Sequence, residues 1–249
     1  MKITFLGTGE ACDISRRNTS ILLEDGEQHH LLDCGFSSAH GYFGHEPDTP
    51  LTTIWISHFH GDHFFSVPQV LVYMYMQKRE EQLTILSGID CKDKIYSALD
   101  LAYPGLSDKL LFPLRFLQVR PEEPLTCNNL SWESAAVNHS QPAFAVRITS
   151  CGHSLYYSGD GKPTVEAVKL IKGCDLVIHE AFSLIPGKPT THSSVEECLL
   201  LAERLSIPRL ALLHINRNDR RQLREKATPL QPPAATRLII PEDDEQLIL

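Results

Sequence analysis

Four side chains able to bind a metal ion stand within six residues of one another. They are His58, His60, Asp62 and His63, in the stretch Ser57-His58-Phe59-His60-Gly61-Asp62-His63. Neutral imidazole and carboxylate are the ligands that zinc takes at open catalytic sites. In an extended chain His58 and His60 point to the same side. Gly61 then lets the chain turn before Asp62 and His63. Such a bend can direct the first pair to one cation and the second pair to another. A lone histidine is ordinarily a surface residue or a satisfied core residue, but four ligand-type side chains at this spacing are poorly explained that way.

One cluster does not complete two sites, so further ligands must come from elsewhere. His139 follows an apolar run ending at Val137. Asp160 follows Tyr156-Tyr157-Ser158-Gly159, and His214 ends Leu210-Ala211-Leu212-Leu213. All three share one placement, the C-terminal end of an apolar strand, where functional groups concentrate.

The elements that must position these residues are read from period and punctuation. Ile3 to Leu6, Ser20 to Leu23, His30 to Asp33 and Thr53 to Ser57 read as strands in a meander without intervening helices. Gly7-Thr8-Gly9, Glu24-Asp25-Gly26-Glu27 and Asp33-Cys34-Gly35 are the turns between them. Helical spacing runs from Phe64 to about Gln82, with Val67, Val70, Leu71, Met74 and Tyr75 as core positions. A strand near Leu83 to Ser87 and a helix from Lys92 to Leu101 follow.

In the second half the expected strands are Arg115 to Val119, Leu130 to Val137, Ala143 to Thr149, Ser154 to Ser158, Asp175 to His179 and Arg209 to His214. Arg237 to Ile240 and Gln246 to Leu249 are expected as terminal strands. Helices are expected over Thr164 to Ile171, over Ser193 to Leu205 with a capping box at its start, and over Arg220 to Lys226. Two strand-rich halves, each with helices covering one face, pack most economically sheet to sheet with helices outside. The expectation is a single domain over residues 1–249.

The 249 residues are 42% apolar and 22% charged, as in an ordinary globular protein, and the net charge is -8. An acidic chain is not suited to long non-specific nucleic-acid contacts, which rest on clustered Lys and Arg. A small phosphate ester in a metal-lined pocket is compatible with it. Seven scattered cysteines without a C-x-x-C pair suggest reduced thiols. No apolar run has the length of a membrane span. A soluble, cytoplasmic protein without membrane contacts is expected.

The full set of motifs resembles the metallo-β-lactamase superfamily, and within it the RNase Z branch. The resemblance rests on Phe5-Leu6-Gly7-Thr8-Gly9, Arg17-Asn18-Thr19-Ser20, Asp33-Cys34-Gly35 and the His58 to His63 motif. It rests also on Ser158-Gly159-Asp160, His179-Glu180-Ala181, Thr191-His192-Ser193-Ser194 and His214. It is to a short form, since residues 140 to 159 hold two strands and a turn where the branch usually inserts a basic arm that grips tRNA.

The resemblance implies a four-layer αβ/βα sandwich of two mixed β-sheets flanked by helices. It implies two divalent ions, zinc first, with manganese or iron as alternatives. His58, His60 and His139 would bind one ion, Asp62, His63 and His214 the other, and Asp160 would bridge them. Asp62 would belong to the catalytic machinery as well. His192 would be the proton donor and Glu180 its orienting partner. Asp33 and Ser57 read as supports behind the ligands. Arg17 and Asn18 are candidates either for a phosphate contact or for a structural role.

The implied function is a phosphodiesterase or RNase Z-like nuclease acting on a phosphodiester, for example a nucleotide or an RNA 3′ end, with tRNA one candidate. Homodimerisation is implied too. Three alternatives stand beside it: a hydrolase of a cyclic nucleotide, thioester, lactone or sulfate ester; a non-catalytic scaffold, against which the filled ligand positions argue; and a redox di-iron site, against which His60 argues.

Overall fold

The computed structural model describes residues 1–26, 28–45, 50–187, 190–225 and 231–249. The expected turn residue Glu27 and the expected helix end at Lys226 lie outside this set. In the first half, strands β1 (Lys2–Gly7), β2 (Ser20–Asp25) and β3 (Gln28–Leu32) are followed by helix α1 (Ser38–Gly44). Then come β4 (Leu51–Ile56), the single turn α2 (Gly61–Phe64), α3 (Val67–Met76), β5 (Leu83–Ser87), α4 (Lys92–Ala102) and β6 (Leu114–Gln118).

The second half begins with β7 (Leu125–Cys127), β8 (Leu130–Asn138), β9 (Ala143–Ser150), β10 (His153–Tyr157) and the short β11 (Lys162–Pro163). Next come α5 (Val165–Ile171), β12 (Leu176–Glu180), α6 (Val195–Leu205), β13 (Arg209–Leu213), α7 (Arg217–Glu225), β14 (Arg237–Ile239) and β15 (Gln246–Ile248).

The strands form two mixed sheets. The first runs β15-β1-β2-β3-β4-β5-β6 and the second β11-β8-β9-β10-β12-β13-β14, with β7 beside β8. Each is antiparallel in one part and parallel in the rest: β3-β4-β5-β6 and β10-β12-β13-β14 are the parallel stretches. Parallel neighbours need crossovers, and helices supply them. This is why α1 stands between β3 and β4, where the sequence reading had a meander without helices. The helix expected to reach Gln82 stops at Met76. Lys78 adopts a positive φ, and Arg79 folds back to donate to the carbonyls of Glu81 and Gln82.

Apolar side chains pack in three layers. Ile3, Phe5, Leu23, Trp55, Trp132, Ile148 and Ile178 fill the space between the sheets, and the rings of Trp55 and Trp132 stack at 6.4 Å. Leu31, Ile54, Val70 and Leu71 belong to the cluster under the first set of helices. Ala167, Val177, Cys198 and Leu212 belong to the cluster under the second. This is the expected αβ/βα sandwich. Alternation along β8 shows how the sequence specifies it, since inward Trp132 and Ser134 are buried while flanking Ser131 and Glu133 are half-exposed.

Helix ends follow local chemistry. Ser194 and Glu197 close a capping box at the start of α6, and Thr164 caps α5 through the Ala167 N–H. Between β9 and β10 the connection is only Cys151-Gly152, both with positive φ, the geometry of a tight hairpin.

Gly35 is required by close approach. A Cβ placed there would lie 1.8 Å from the Asp62 carbonyl oxygen. Its neighbour Cys34 accepts from Ser66 N and donates to His63 O at 2.7 Å, so the turn after β3 is fastened to the loop after β4. Gly35→Ala should therefore cost about 2 kcal/mol or more of unfolding free energy in a urea titration. A change within 0.5 kcal/mol of zero would show that this approach is not tight.

Candidate metal centre

The chain direction of β4, β8, β10, β12 and β13 brings their C-terminal ends to one edge of the sandwich. Residues of the candidate centre follow or end each of these strands: His58, His139, Asp160, Glu180 and His214. In open α/β sheets this edge is where the unpaired ends of strands leave a crevice.

All seven expected ligands converge there. One potential ligand atom from each of His58, His60, His139 and Asp160 lies within 4.8 Å of the other three, and the same holds for Asp62, His63 and His214. His60 Nδ1 stands 3.1 Å from His58 Nε2 and 3.0 Å from His139 Nε2. Asp160 lies between the sets, with Oδ2 3.8 Å from His139 Nε2 and 3.9 Å from His63 Nε2. His214 Nε2 stands 3.3 Å from Asp62 Oδ2. Among the buried atoms left without a hydrogen-bond partner are His63 Nε2 and His214 Nδ1. Buried polar atoms are nearly always paired. Converging lone pairs with no donors between them suit a divalent cation.

The supports behind the ligands fix which nitrogen is free. Asp33, fully buried with φ of +58°, accepts at 2.7 Å from Ser57 N, Ser57 Oγ, His63 Nδ1 and Tyr157 Oη. An ionised carboxylate only accepts, so His63 carries its proton on Nδ1 and offers Nε2 to the site. Ser57 Oγ stands 3.0 Å from His58 Nδ1; having given its proton to Asp33 it accepts from His58, which leaves Nε2 free in the same way. Gly159, with φ of +61°, lets the end of β10 approach Ser57, where a Cβ would meet the serine Cβ at 2.6 Å.

The electrostatics invite positive charge. Burial lowers the pKa of His58, and of His139 to about 4, so both are neutral and able to offer a lone pair to a cation. Burial opposes ionisation of Asp62 and Asp160, but neighbouring histidines outweigh it and hold both carboxyls well below the usual range. His63 is also desolvated, yet Asp33 and Asp62 push its pKa up.

His192 sits at the same edge. Its Nδ1 is 2.8 Å from Asp160 Oδ1 and 3.6 Å from Glu180 Oε2. The second distance is too long for a hydrogen bond. Glu180 spends its oxygens on backbone instead, accepting from Ser193 N at 2.5 Å and Phe182 N at 3.1 Å. It therefore holds the segments on both sides of the His192 ring. His192 also belongs to a third ligand-competent group with Asp160 and His214, which the sequence reading had not considered. Phe182, unnoticed in the sequence, packs against both His192 and His214, with ring centroids 5.0 and 6.1 Å away.

Arg17 and Asn18 are committed to the protein. Arg17 donates to the Leu6 carbonyl and to Asp244, each at 2.5 Å, while the Asn18 amide joins Glu10 O to Ser37. Of the two roles open in the sequence, the geometry favours the structural one.

Replacing Asp33 by Asn puts an N–H among four donors and removes the acceptor that sets His63. Zinc affinity measured by competition with a chromophoric chelator should fall about 10–100-fold. An unchanged affinity would mean that His63 needs no such support.

Comparison with known proteins agrees with this geometry. Residues 1–230 match the family model described as anti-Pycsar protein Apyc1. The chain is 25% identical to Ribonuclease Z of Shouchella clausii, with 98% of this chain and 95% of that one covered. It is 26% identical to Ribonuclease Z of Limosilactobacillus fermentum, with 87% and 88% covered. Human tRNase Z, short form, superposes with a TM-score of 0.81 at 23% identity, covering 100% of this chain and 99% of that one. The metallo-β-lactamase fold protein YhfI from Bacillus subtilis superposes at 0.79 with 20% identity, covering 99% and 98%. The chain has the metallo-β-lactamase fold, is RNase Z-like within it, and belongs to the anti-Pycsar protein Apyc1 family.

Proposed function

We propose that this metal-dependent hydrolase cleaves a phosphodiester, with two divalent ions held at the edge just described. His58, His60 and His139 serve one ion and Asp62, His63 and His214 the other, with Asp160 shared. Asp160 carries the reading: it groups with His58, His60 and His139 and also lies 3.9 Å from His63 Nε2 and 3.7 Å from His214 Nδ1. A bound pair supplies Lewis-acid activation of water and stabilises charge on the phosphoryl oxygens. Zinc fits the imidazole-rich donor set best, with manganese or iron as alternatives.

The protein's own groups do the rest. Asp33 and Ser57 hold the His63 and His58 rings with the free nitrogen inward. His192 holds its proton through Asp160 and Glu180; burial opposes the charge, but these carboxylates leave its pKa pushed up to about 10. A protonated imidazole at the mouth of the site can give its proton to a departing alkoxide. Glu180 orients it by fixing Ser193 N and Phe182 N rather than by direct bonding.

The substrate proposed is a nucleotide-type phosphodiester, a cyclic nucleotide or an RNA 3′ end among them. A hydrolase of a thioester, lactone or sulfate ester is the second reading, disfavoured by the His192 and Glu180 arrangement. The two-residue connection between β9 and β10 leaves no arm there for gripping a folded RNA, so a tRNA precursor is the less favoured target. No helix among the described residues is long and apolar enough to cross a membrane. The reading places the enzyme in the cytoplasm, as a homodimer.

Hydrolysis of bis(p-nitrophenyl) phosphate with added zinc or manganese tests the reading. Activity should vanish on exhaustive chelation and return with the metal, and a thioester should be cleaved far more slowly. His63→Ala and Asp160→Ala should lose metal and activity together. His192→Ala should keep its metal while kcat falls about 10²–10⁴-fold; normal turnover in that variant would remove the proton-donor role.

A further inference from the structure

Asp243 stands far along the chain from every candidate ligand, yet it is hydrogen-bonded to their scaffold. Its Oδ1 accepts from Thr8 N at 3.0 Å and from Thr8 Oγ1 at 2.8 Å, and its Oδ2 accepts from Arg17 N at 2.8 Å. Arg16 reinforces the cluster, with Nη1 3.3 Å from Thr8 Oγ1 and 3.8 Å from Asp243 Oδ1. The turn that carries Asp243 is itself clamped to β1. Phe5 N donates to Glu245 O at 2.9 Å, Asp244 N donates to Phe5 O at 2.7 Å, and β15 pairs with β1.

Thr8, fixed on its amide and hydroxyl, presents its carbonyl in the opposite role. That oxygen accepts from His214 N at 3.0 Å. His214 has φ of +56°, a left-handed conformation uncommon for a residue with a side chain and one that persists only where surroundings impose it. From that conformation the imidazole reaches Asp62 and Asp160. The preceding carbonyl is also held, since Leu213 O accepts from Ala181 N at 2.9 Å. The Thr8 bond thus ties the His214 backbone to the first sheet, as Asp62 ties its ring.

We infer that Asp243 is a positioning residue for the metal centre: its carboxylate fixes Thr8, and the Thr8 carbonyl holds His214 in the left-handed turn that delivers its imidazole. The inference rests on the reading of Asp62, His63 and His214 as ligands of one of two ions. It separates Asp243 from its acidic neighbours. Glu242 pairs with Arg16, and Asp244 pairs with Arg17 and His45.

Cobalt(II) titration of the metal-free full chain tests this through the visible absorption of the bound ion, independently of activity. Wild-type protein should bind two equivalents. Asp243→Ala should weaken one equivalent at least tenfold and leave the other unchanged. Asp243→Asn, which keeps the shape but loses one acceptor, should fall between. Asp244→Ala, which removes the neighbouring ion pairs, should bind as wild type does. If Asp243→Ala fails to fold by circular dichroism, the isosteric Asn variant decides. Two equivalents at wild-type affinity in the Asp243 variants would overturn the inference. So would equal weakening of both equivalents, or the same defect in Asp244→Ala. A wild-type chain that binds no cobalt would instead remove the two-ion reading on which the inference stands.

Discussion

Two buried carboxylates, Asp62 and Asp160, face six histidines at one edge of the sandwich, and the rest of the structure is arranged around keeping them charged there. Withdrawing a carboxylate from water is expensive, and an unpaired one is seldom tolerated. Histidines offset part of the cost by leaning towards protonation, as at His63. Others, His58 and His139, are desolvated into neutrality and offer only lone pairs. Such a mixture of ionised carboxylates and neutral imidazoles is satisfied more completely by a cation than by any set of protons.

The fold meets this demand by convergence. Neither sheet supplies the whole set. His58, His60, Asp62 and His63 come from the first, whereas His139, Asp160, His192 and His214 come from the second. Asp33 joins the two, since its donors are Ser57 and His63 from the first sheet's loop and Tyr157 from β10 of the second. A single buried carboxylate thereby ties the packing of the sandwich to the orientation of the His63 ring. The positive φ values at Asp33 and His214 mark where the backbone carries strain for the sake of the site.

Much of this was legible in the sequence because strand ends are legible. Apolar runs at 53–57, 130–137, 209–214 and the Tyr156-Tyr157 pair announce where strands finish, and the candidate ligands end or follow them in the chain. A capping box at Ser193 or Ser194 was readable for the same local reason, and the structure selects Ser194. Long-range pairing was not. Helix α1 was missed because its seven residues carry little helical signal, and the parallel pairing of β3 with β4 that requires it is a tertiary fact. The three-residue β7 and two-residue β11 were too short to show a period. Tyr157 reads only as a strand residue, and nothing local tells that its hydroxyl serves Asp33. The sequence names Glu180 as the orienting partner of His192 but not the route, and the side-chain distances put that route through the backbone of Phe182 and Ser193.

X-ray absorption at the zinc edge of fully loaded protein tests the central claim most directly. The account predicts a shell of nitrogen and oxygen ligands with imidazole outer-shell scattering, and a metal–metal vector at about 3.5–4 Å. Sulfur ligation, or a lone ion with no second metal in its scattering, would contradict it.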